Sequence, residues 1–381
     1  METQLNDKVQ ALLQDQIRRG TQLGTQVCAY RHGEVIVDTW AGELGPEDSR
    51  PVQADSLFSC FSTTKGVAAT ALHILADRGV IDYDAPVATY WPAFAQNGKG
   101  AITVAQAMSH QAGLHAVPKP QTVEFLADWD AGLRWIEEGT PAWEPGTATG
   151  YHAMTYAWVV GGIVQYASGR HIRDVIREEI AEPLGVADSM FVGIPDGLEA
   201  RLASLQTPDP ASRQPIPLPP DHDMFKAMPM DGPRIDYNDM RVRKACLPSA
   251  NGHFSARALA RMYAALANGG EVDGVRIVSP GRIPEMHRCL VATPDRVIMM
   301  PIRKGIGFFL GGPVNGMWGA QGPRESCFGH PGAGGSIAFA DPEVGLSIAV
   351  TINKMLTTLT ADGPTFEICE LIRNELGINQ A

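Results

Sequence analysis

The sequence predicts a mixed α/β (α+β) protein built on one antiparallel sheet, because its strand patterns fall at the two ends of the chain. A hairpin is predicted at residues 26–40, with its turn at residues 31–34, and apolar strands are predicted at residues 336–340 and 346–352. Helical patterns occupy most of the chain between them. Strands from both ends can complete one sheet, so we expect terminal helices to cover it and a helical domain to be inserted in the middle.

The predicted helices show apolar residues at helical spacing and suitable residues at their ends. They fall at residues 4–19, 62–79, 103–110, 121–128, 129–138, 154–168, 172–180, 255–268 and 364–376. Ser255 is a typical N-cap, and Gly79 and Gly169 stand where helices often end in a left-handed glycine. The helix at residues 62–79 is apolar on more than one side, so we expect it to be buried.

The order of these elements predicts two domains. Residues 1–80 and 154–381 are expected to form a discontinuous α/β domain, and residues 81–153 a helical domain, with a functional site where the two meet. Residues 206–248 contain nine prolines and little apolar periodicity. We therefore expect a long loop insertion there, and loops of that length are usually functional or disordered.

Length, charge and composition exclude several classes of protein. The chain has 381 residues, a formal net charge of −11 and 44% hydrophobic residues, which suffices for a large core. The acidic balance and the lack of a basic patch with interleaved aromatic residues argue against a nucleic-acid partner. No segment has the pattern of a membrane span or of an apolar export signal, so we expect a cytoplasmic protein without a membrane partner.

Cysteine and histidine positions indicate neither a disulfide framework nor a metal site. The six cysteines are scattered without Cys-x-x-Cys pairs, so we expect reduced and mostly buried thiols. His110 and His115 are five residues apart, which is not a convincing ligand spacing. We predict no metal and no cofactor.

One Ser-x-x-Lys occurs in the chain, at Ser62–Lys65, and a buried helix is predicted to begin there. Ser62 would lie at the helix start, with Lys65 one turn later on the same face. A lysine in a dry pocket has a lowered pKa and can take the proton of a nearby serine, and the amides at a helix N-terminus can stabilise an oxyanion. A capping serine and an ordinary first-turn lysine are the alternative interpretation.

Three other segments combine turn residues with side chains capable of chemistry. In residues 143–153, a Pro-Gly turn and Gly150 fix the backbone before Tyr151, whose phenolate a nearby ammonium would favour. Residues 328–336 contain four glycines around His330, which allows close approach of the backbone to a ligand and could supply a hydrogen bond. Residues 247–253 make a tight connection before a helix. A core tyrosine, a glycine-rich turn and a helix cap are the respective alternatives.

Together these segments resemble the serine β-lactamase and penicillin-binding-protein superfamily. The matching segments are residues 62–65, 103–114, 143–151, 248–252 and 329–332, in the family's order. The resemblance is greatest to class C β-lactamases and to the β-lactamase-like family VIII carboxylesterases. It implies a class C β-lactamase-like fold with the active site at the interface of the two domains.

The resemblance also implies a role for each matching residue. Ser62 is similar to the nucleophile that becomes acylated, and Lys65, alone or with Tyr151, to the base that activates it. The main-chain amides of Ser62 and Ala333 would form the oxyanion hole. The residues expected to bind substrate are His330, Gly332, His152 and Trp143.

Two departures from the family pattern suggest a neutral ester substrate. The Tyr-x-Asn element is Tyr151-His152-Ala153 here, without the Asn amide. The Lys-Thr-Gly element is His330-Pro331-Gly332, so an imidazole that is mostly neutral replaces the cation that would attract a substrate carboxylate. Both changes weaken recognition of an anionic lactam and leave the acyl-transfer machinery intact.

The resemblance therefore implies a serine carboxylesterase that acts on a small-molecule ester. Acyl transfer, D-amino-acid peptidase or amidase activity and weak β-lactamase activity stay open, as does a ligand-binding homologue without catalysis. The oligomeric state also stays open.

Overall fold

The computed structural model describes residues 2–209, 216–230, 235–356 and 363–379. Within them the strands are β1 (Gly24–Arg31), β2 (Glu34–Gly45), β3 (Asp48–Pro51), β4 (Phe58–Ser59), β5 (Met190–Val192), β6 (Gly252–Phe254), β7 (Glu271–Val272), β8 (Val275–Arg276), β9 (Phe309–Leu310), β10 (Phe328–Pro331), β11 (Ile337–Asp341) and β12 (Leu346–Ile352). The α-helices are α1 (Glu2–Arg18), α2 (Thr64–Asp77), α3 (Val104–Met108), α4 (Val123–Ala127), α5 (Trp129–Glu138), α6 (Tyr156–Ser168), α7 (Ile172–Ile176), α8 (Asp223–Ala227), α9 (Met240–Lys244), α10 (Ala256–Ala267), α11 (Ile283–Met286) and α12 (Pro364–Glu375).

The main sheet joins strands from the two ends of the chain, which confirms the predicted fold class. Its order is β3-β2-β1-β12-β11-β10-β9, and neighbouring strands are antiparallel. The N-terminal and C-terminal parts meet where β1 pairs with β12, from Thr25 opposite Ile352 to Arg31 opposite Leu346.

Alternation along β1 gives the sheet two buried faces. Val27 and Ala29 belong to one apolar cluster with α1 and α12, whereas Cys28 and Tyr30 belong to another that includes α10. Successive side chains of a strand point to opposite faces, so one strand contributes to both clusters. The terminal helices therefore cover one face of the sheet, and α10 covers the other.

Helix α2 is buried on all sides, as its apolar pattern predicts. Val67, Leu72 and Ile74 are at most 1% exposed, and the helix contacts α6 and α7. A Cβ added at Gly66 would lie 1.9 Å from the hydroxyl of Tyr263 on α10. The absence of a side chain at Gly66 thus lets α2 pack directly against the helix that covers the sheet.

The predicted helices are observed to within two residues at each end, except at residues 172–180, where α7 continues as a π-helical turn at Arg177–Ala181. The strands of two or three residues were not predicted, because so short a segment carries no readable alternation. The loop predicted at residues 206–248 includes two short helices, α8 and α9, and residues 210–215 and 231–234 of it lie outside the described part.

The division into α/β and helical domains stays a prediction. One continuous buried cluster includes side chains of the sheet, of α2 and of helices on both sides of residue 153.

Among the described residues, no helix is both long enough and apolar enough to cross a membrane.

Candidate active site

Ser62 lies at the N-terminal end of α2, in a turn held by main-chain and side-chain hydrogen bonds. The amide of Lys65 donates to the main-chain oxygen of Ser62 (2.9 Å). Thr64 Oγ1 donates to the main-chain oxygen of Phe61 (2.5 Å) and accepts from the amide of Gly252 (2.9 Å). Phe61 adopts the left-handed region, with φ 44°. This unusual conformation is stabilised by neighbouring hydrogen bonds and aims the turn that carries Ser62.

Lys65 is fully buried beside the Ser62 hydroxyl, with its Nζ 3.3 Å from Ser62 Oγ. The same Nζ donates to the main-chain oxygens of Ala153 and Ser249, each at 2.8 Å. Burial lowers the pKa of Lys65 well below its ordinary value. A neutral amine has two N–H groups for the two carbonyls, so its lone pair is left for the Ser62 proton.

Tyr151 is buried against this lysine, with Lys65 Nζ 4.7 Å from the centre of its ring. Burial raises the pKa of Tyr151 above its ordinary value, and a hydrogen bond with the Ser62 hydroxyl offsets only part of that rise. The expectation that an ammonium would favour the Tyr151 phenolate is wrong, because the environment of Lys65 favours the neutral amine. Tyr151 is therefore a phenol that can donate a proton.

The predicted oxyanion-hole residues come from α2 and from the turn after β10. A Cβ added at Gly332 would lie 2.3 Å from the main-chain oxygen of Cys60, so a glycine is needed for this close approach. The next residue, Ala333, is exposed. Within the described ranges, neither the Ser62 amide nor the Ala333 amide donates to a main-chain acceptor. Both donors are thus left for an oxyanion.

His330 lies on β10 with its ring buried beside Tyr151 and Phe309, at centroid distances of 6.0 and 4.3 Å. Its Nδ1 donates to the main-chain oxygen of Pro331 (2.7 Å), so Nε2 carries the lone pair. Nε2 is buried and lacks a hydrogen-bond partner among the described residues. Burial lowers the pKa of His330 well below its ordinary value. The ring can therefore accept a hydrogen bond, and it does not supply one from Nε2.

The structure gives His152 and Trp143 a different role from the predicted substrate binding. Both ring nitrogens of buried His152 are occupied, because Nδ1 donates to Gly150 O (2.8 Å) and Nε2 accepts from the amide of Leu114 (3.0 Å). Trp143 is partly exposed, donates to Gln111 O (3.2 Å) and covers Gly150, where an added Cβ would lie 2.5 Å from its ring. Both residues shape the backbone before Tyr151, and His152 offers no free nitrogen to a substrate.

His110 is a site residue to which the sequence argument gave no role. Its backbone is left-handed (φ 64°), and its Nδ1 accepts from the amide of His152 (3.1 Å). Its ring lies 5.0 Å from that of Tyr151 and 5.1 Å from that of Tyr156. The signal available in the sequence was its place in the matching segment that ends in Ser-His-Gln-Ala-Gly-Leu.

Asp295 and Lys304 were also missed, and they form a buried ion pair behind Tyr151 (Nζ–Oδ2 2.5 Å). An apolar wall lies next to it, where Ala227, Val297 and Phe309 pack with Tyr151 and Ala153. Exposed methionines follow along the chain on the same two segments, at Met228, Met230, Met299 and Met300. No group of three or more potential metal ligands occurs in the described residues.

Comparison with known proteins identifies the family of the chain. A family model described as beta-lactamase matches residues 6–367. The chain belongs to the beta-lactamase family. The esterase/beta-lactamase LipL of Mycobacterium tuberculosis is 36% identical over 349 residues, which are 88% of this chain and 78% of LipL.

Two solved structures are similar to this chain over nearly its whole length. A family VIII carboxylesterase has 34% sequence identity and a TM-score of 0.87, covering 96% of this chain and 97% of its own. A penicillin-binding-protein homologue from Caulobacter crescentus has 35% identity and a TM-score of 0.88, covering 97% of each chain. The family resemblance and the predicted fold are therefore confirmed.

Proposed function

We propose that this member of the beta-lactamase family is a serine carboxylesterase that forms an acyl-enzyme on Ser62. The observation that carries the proposal is the contact between Ser62 Oγ and a buried Lys65 amine whose N–H groups are directed at two carbonyls. LipL is named an esterase/beta-lactamase and the 34% identical structure a family VIII carboxylesterase, which supports ester chemistry.

Acylation uses the groups in the following way. Lys65 Nζ takes the Ser62 proton while Oγ bonds to the ester carbonyl carbon, and the amides of Ser62 and Ala333 hold the resulting oxyanion. When the oxyanion collapses, the bond to the alcohol oxygen breaks and the Tyr151 phenol protonates that oxygen. The proton on Lys65 then restores Tyr151, so the site returns to its starting charge.

Deacylation repeats these steps with water as the nucleophile. Water gives a proton to Lys65 and attacks the acyl carbon, and the two amides again hold the oxyanion. Ser62 Oγ then leaves and takes back the proton from Lys65 Nζ, which releases the carboxylic acid and restores the neutral amine. No other group is required by this sequence of steps.

The site supports a neutral small-molecule ester in preference to an anionic lactam. At the position where the family has a lysine, His330 is neutral and offers only an acceptor nitrogen. Ala153 stands where the family has an asparagine, and its main-chain oxygen is occupied by Lys65. The apolar wall beside Tyr151 is itself uncharged, and the cations on the same two segments, Lys226 and Arg296, are each paired with Asp223.

The decisive experiment is intact-mass analysis after brief exposure to p-nitrophenyl butyrate and, in parallel, to a cephalosporin. Ser62→Ala is the control for the nucleophile, and its circular dichroism spectrum verifies the fold. We expect fast p-nitrophenol release with the ester and none above background with Ser62→Ala. Undiminished ester hydrolysis by Ser62→Ala would refute the assignment, and faster turnover of the cephalosporin than of the ester would reverse the order of substrates.

A further inference from the structure

The ion pair behind Tyr151 is buried within the site rather than on the protein surface. The side chains of Asp295 and Lys304 are 0% and 1% exposed, and Asp295 Oδ2 lies 2.5 Å from Lys304 Nζ. Lys304 Nζ also donates to Thr149 Oγ1 (2.7 Å), two residues before Tyr151. The amide of Arg296 donates to the main-chain oxygen of Thr149 (2.9 Å), so the two segments are joined by main chain as well.

The donors to the second carboxylate oxygen of Asp295 are, within the described part of the chain, all main-chain amides. Oδ1 accepts from the amides of Tyr151 (3.1 Å), Val297 (2.8 Å) and Ile298 (2.9 Å). Burial alone would raise the pKa of Asp295, but the Lys304 ammonium and the amide hydrogen bonds outweigh it and keep the pKa below its ordinary value. Asp295 is therefore an anion that needs these donors.

Charge pairing alone does not explain this arrangement. A buried ion pair contributes little net stability compared with apolar residues of the same volume, because both ions lose their hydration. The distinctive feature is that one carboxylate joins two parts of the site. One of its oxygens is held by Lys304, and the other holds the main-chain amide of Tyr151 and those of Val297 and Ile298 beside the apolar wall. Asp295 and Tyr151 are 144 residues apart in the chain.

We propose that Asp295 is a positioning residue for Tyr151, and that Lys304 holds the carboxylate in place. Asp295 acts on Tyr151 through the main-chain amide, so the phenol is kept where it meets the leaving alcohol oxygen. The proposal rests on the proposed function, in which Tyr151 donates that proton. A displacement of about 1 Å at a reacting group can lower the rate by about 100-fold, so the constraint has a measurable consequence.

The test uses pairs of substitutions, because removal of one ion alone would leave the other buried without its partner. Asp295→Asn combined with Lys304→Met keeps an oxygen that can accept from the three amides. Asp295→Leu combined with Lys304→Met has a similar volume and no acceptor. The two variants differ in the side-chain amide, whose oxygen is the acceptor for the three main-chain N–H groups, and both lack the ion pair.

We expect kcat for p-nitrophenyl butyrate to stay within about threefold of the wild-type value in the asparagine variant. In the leucine variant we expect kcat to fall by roughly 10- to 100-fold with KM within about threefold, as for a misplaced reacting group. Thermal melting by circular dichroism establishes that both variants are folded. If the leucine variant does not fold, Asp295→Ser combined with Lys304→Met takes its place. The same fall in kcat is expected, because the shorter serine hydroxyl cannot reach all three amides.

A cycle with Tyr151→Phe distinguishes positioning from a general structural effect. If Asp295 acts through Tyr151, the leucine substitution should lower kcat by less than about threefold when Tyr151 is already Phe. Equal losses in both backgrounds, or an asparagine variant as slow as the leucine variant, would overturn the proposal. Neither result would affect the assignment of Ser62, which Ser62→Ala tests separately.

Discussion

Lys65 Nζ lies 3.3 Å from Ser62 Oγ, while its two shorter hydrogen bonds of 2.8 Å end on main-chain oxygens. Main-chain carbonyls cannot donate a proton or carry a full charge, so they orient the amine without neutralising an ammonium. In the proposed mechanism, the amine is thereby held as a base directed at one hydroxyl, that of Ser62.

Removal of this amine should abolish most of the activity without loss of the fold. We expect Lys65→Met to lower kcat/KM for p-nitrophenyl butyrate by roughly 100- to 10,000-fold, the usual contribution of a general base. Steady-state kinetics check this, with Lys8→Met as the matched control, because Lys8 pairs with Glu375 at the protein surface. An unchanged kcat/KM in Lys65→Met would contradict the role of base.

The lowered pKa of Lys65 predicts the sign of the pH dependence. The protonated amine cannot take the Ser62 proton, so kcat/KM should fall as pH falls through the pKa of Lys65 in the folded protein. Because burial lowers that pKa well below its ordinary value of 10.5, the acid limb of the profile should lie well below pH 10.5. A pH–rate profile with p-nitrophenyl acetate measures it, and a limb centred near pH 10.5 would contradict a neutral amine.

The same shift affects stability in a defined direction. Between the lowered pKa and 10.5, the unfolded chain binds a proton at Lys65 that the folded protein does not bind, so stability from this group rises with pH and is lost as pH falls. Urea unfolding should therefore show that the free energy of unfolding of Lys65→Met increases relative to that of the wild type as pH is lowered through this window. A stability difference that is independent of pH across the window would argue against the shift.

Gly332 should tolerate no side chain, because its Cα faces the main-chain oxygen of Cys60. In Gly332→Ala the added Cβ would meet that oxygen at 2.3 Å and push the end of β10 away from Ser62. We expect kcat to fall by about 100- to 1,000-fold, as when one oxyanion-hole donor is lost. Gly281→Ala is the matched control, since nothing lies within 4 Å of its added Cβ. Equal kcat values in the two variants would contradict the oxyanion role of the following amide.

Much of the fold could be predicted from local patterns. The helices α2, α6 and α10 carry apolar residues at helical spacing between clear end signals, and β11 and β12 are continuous apolar runs. Their positions depend on periodicity, which a single sequence contains. Ser62, Lys65 and Tyr151 lie together in the structure, and the matching segments had indicated that they would.

The rest of the site depends on contacts between distant segments. Asp295 and Lys304 stand in a region without periodic structure, and only the fold brings their ion pair behind Tyr151. The resemblance implies that His152, in the segment matching the family's Tyr-x-Asn element, binds substrate, but the backbone turns its ring toward Gly150 O and the Leu114 amide. Side chains next to each other in an irregular segment need not point in the same direction. The position of His152 beside Tyr151 therefore could not assign it a role.

We expect the buried His330 ring to lower the stability of the free protein and to serve the reaction. Its Nε2 is buried and unpartnered among the described residues, and such an acceptor costs roughly 1–3 kcal/mol in the free protein. We expect His330→Leu to raise the free energy of unfolding by about 1 kcal/mol, because the unpaired buried acceptor is removed. We also expect it to lower kcat/KM for the ester, because the reaction loses the same acceptor. Urea unfolding and steady-state kinetics on the same preparation measure the two effects. His253→Leu is the matched control, because His253 Nε2 is also buried and unpartnered but belongs to β6. A gain in stability without a loss of activity in His330→Leu would show that Nε2 does not serve the reaction.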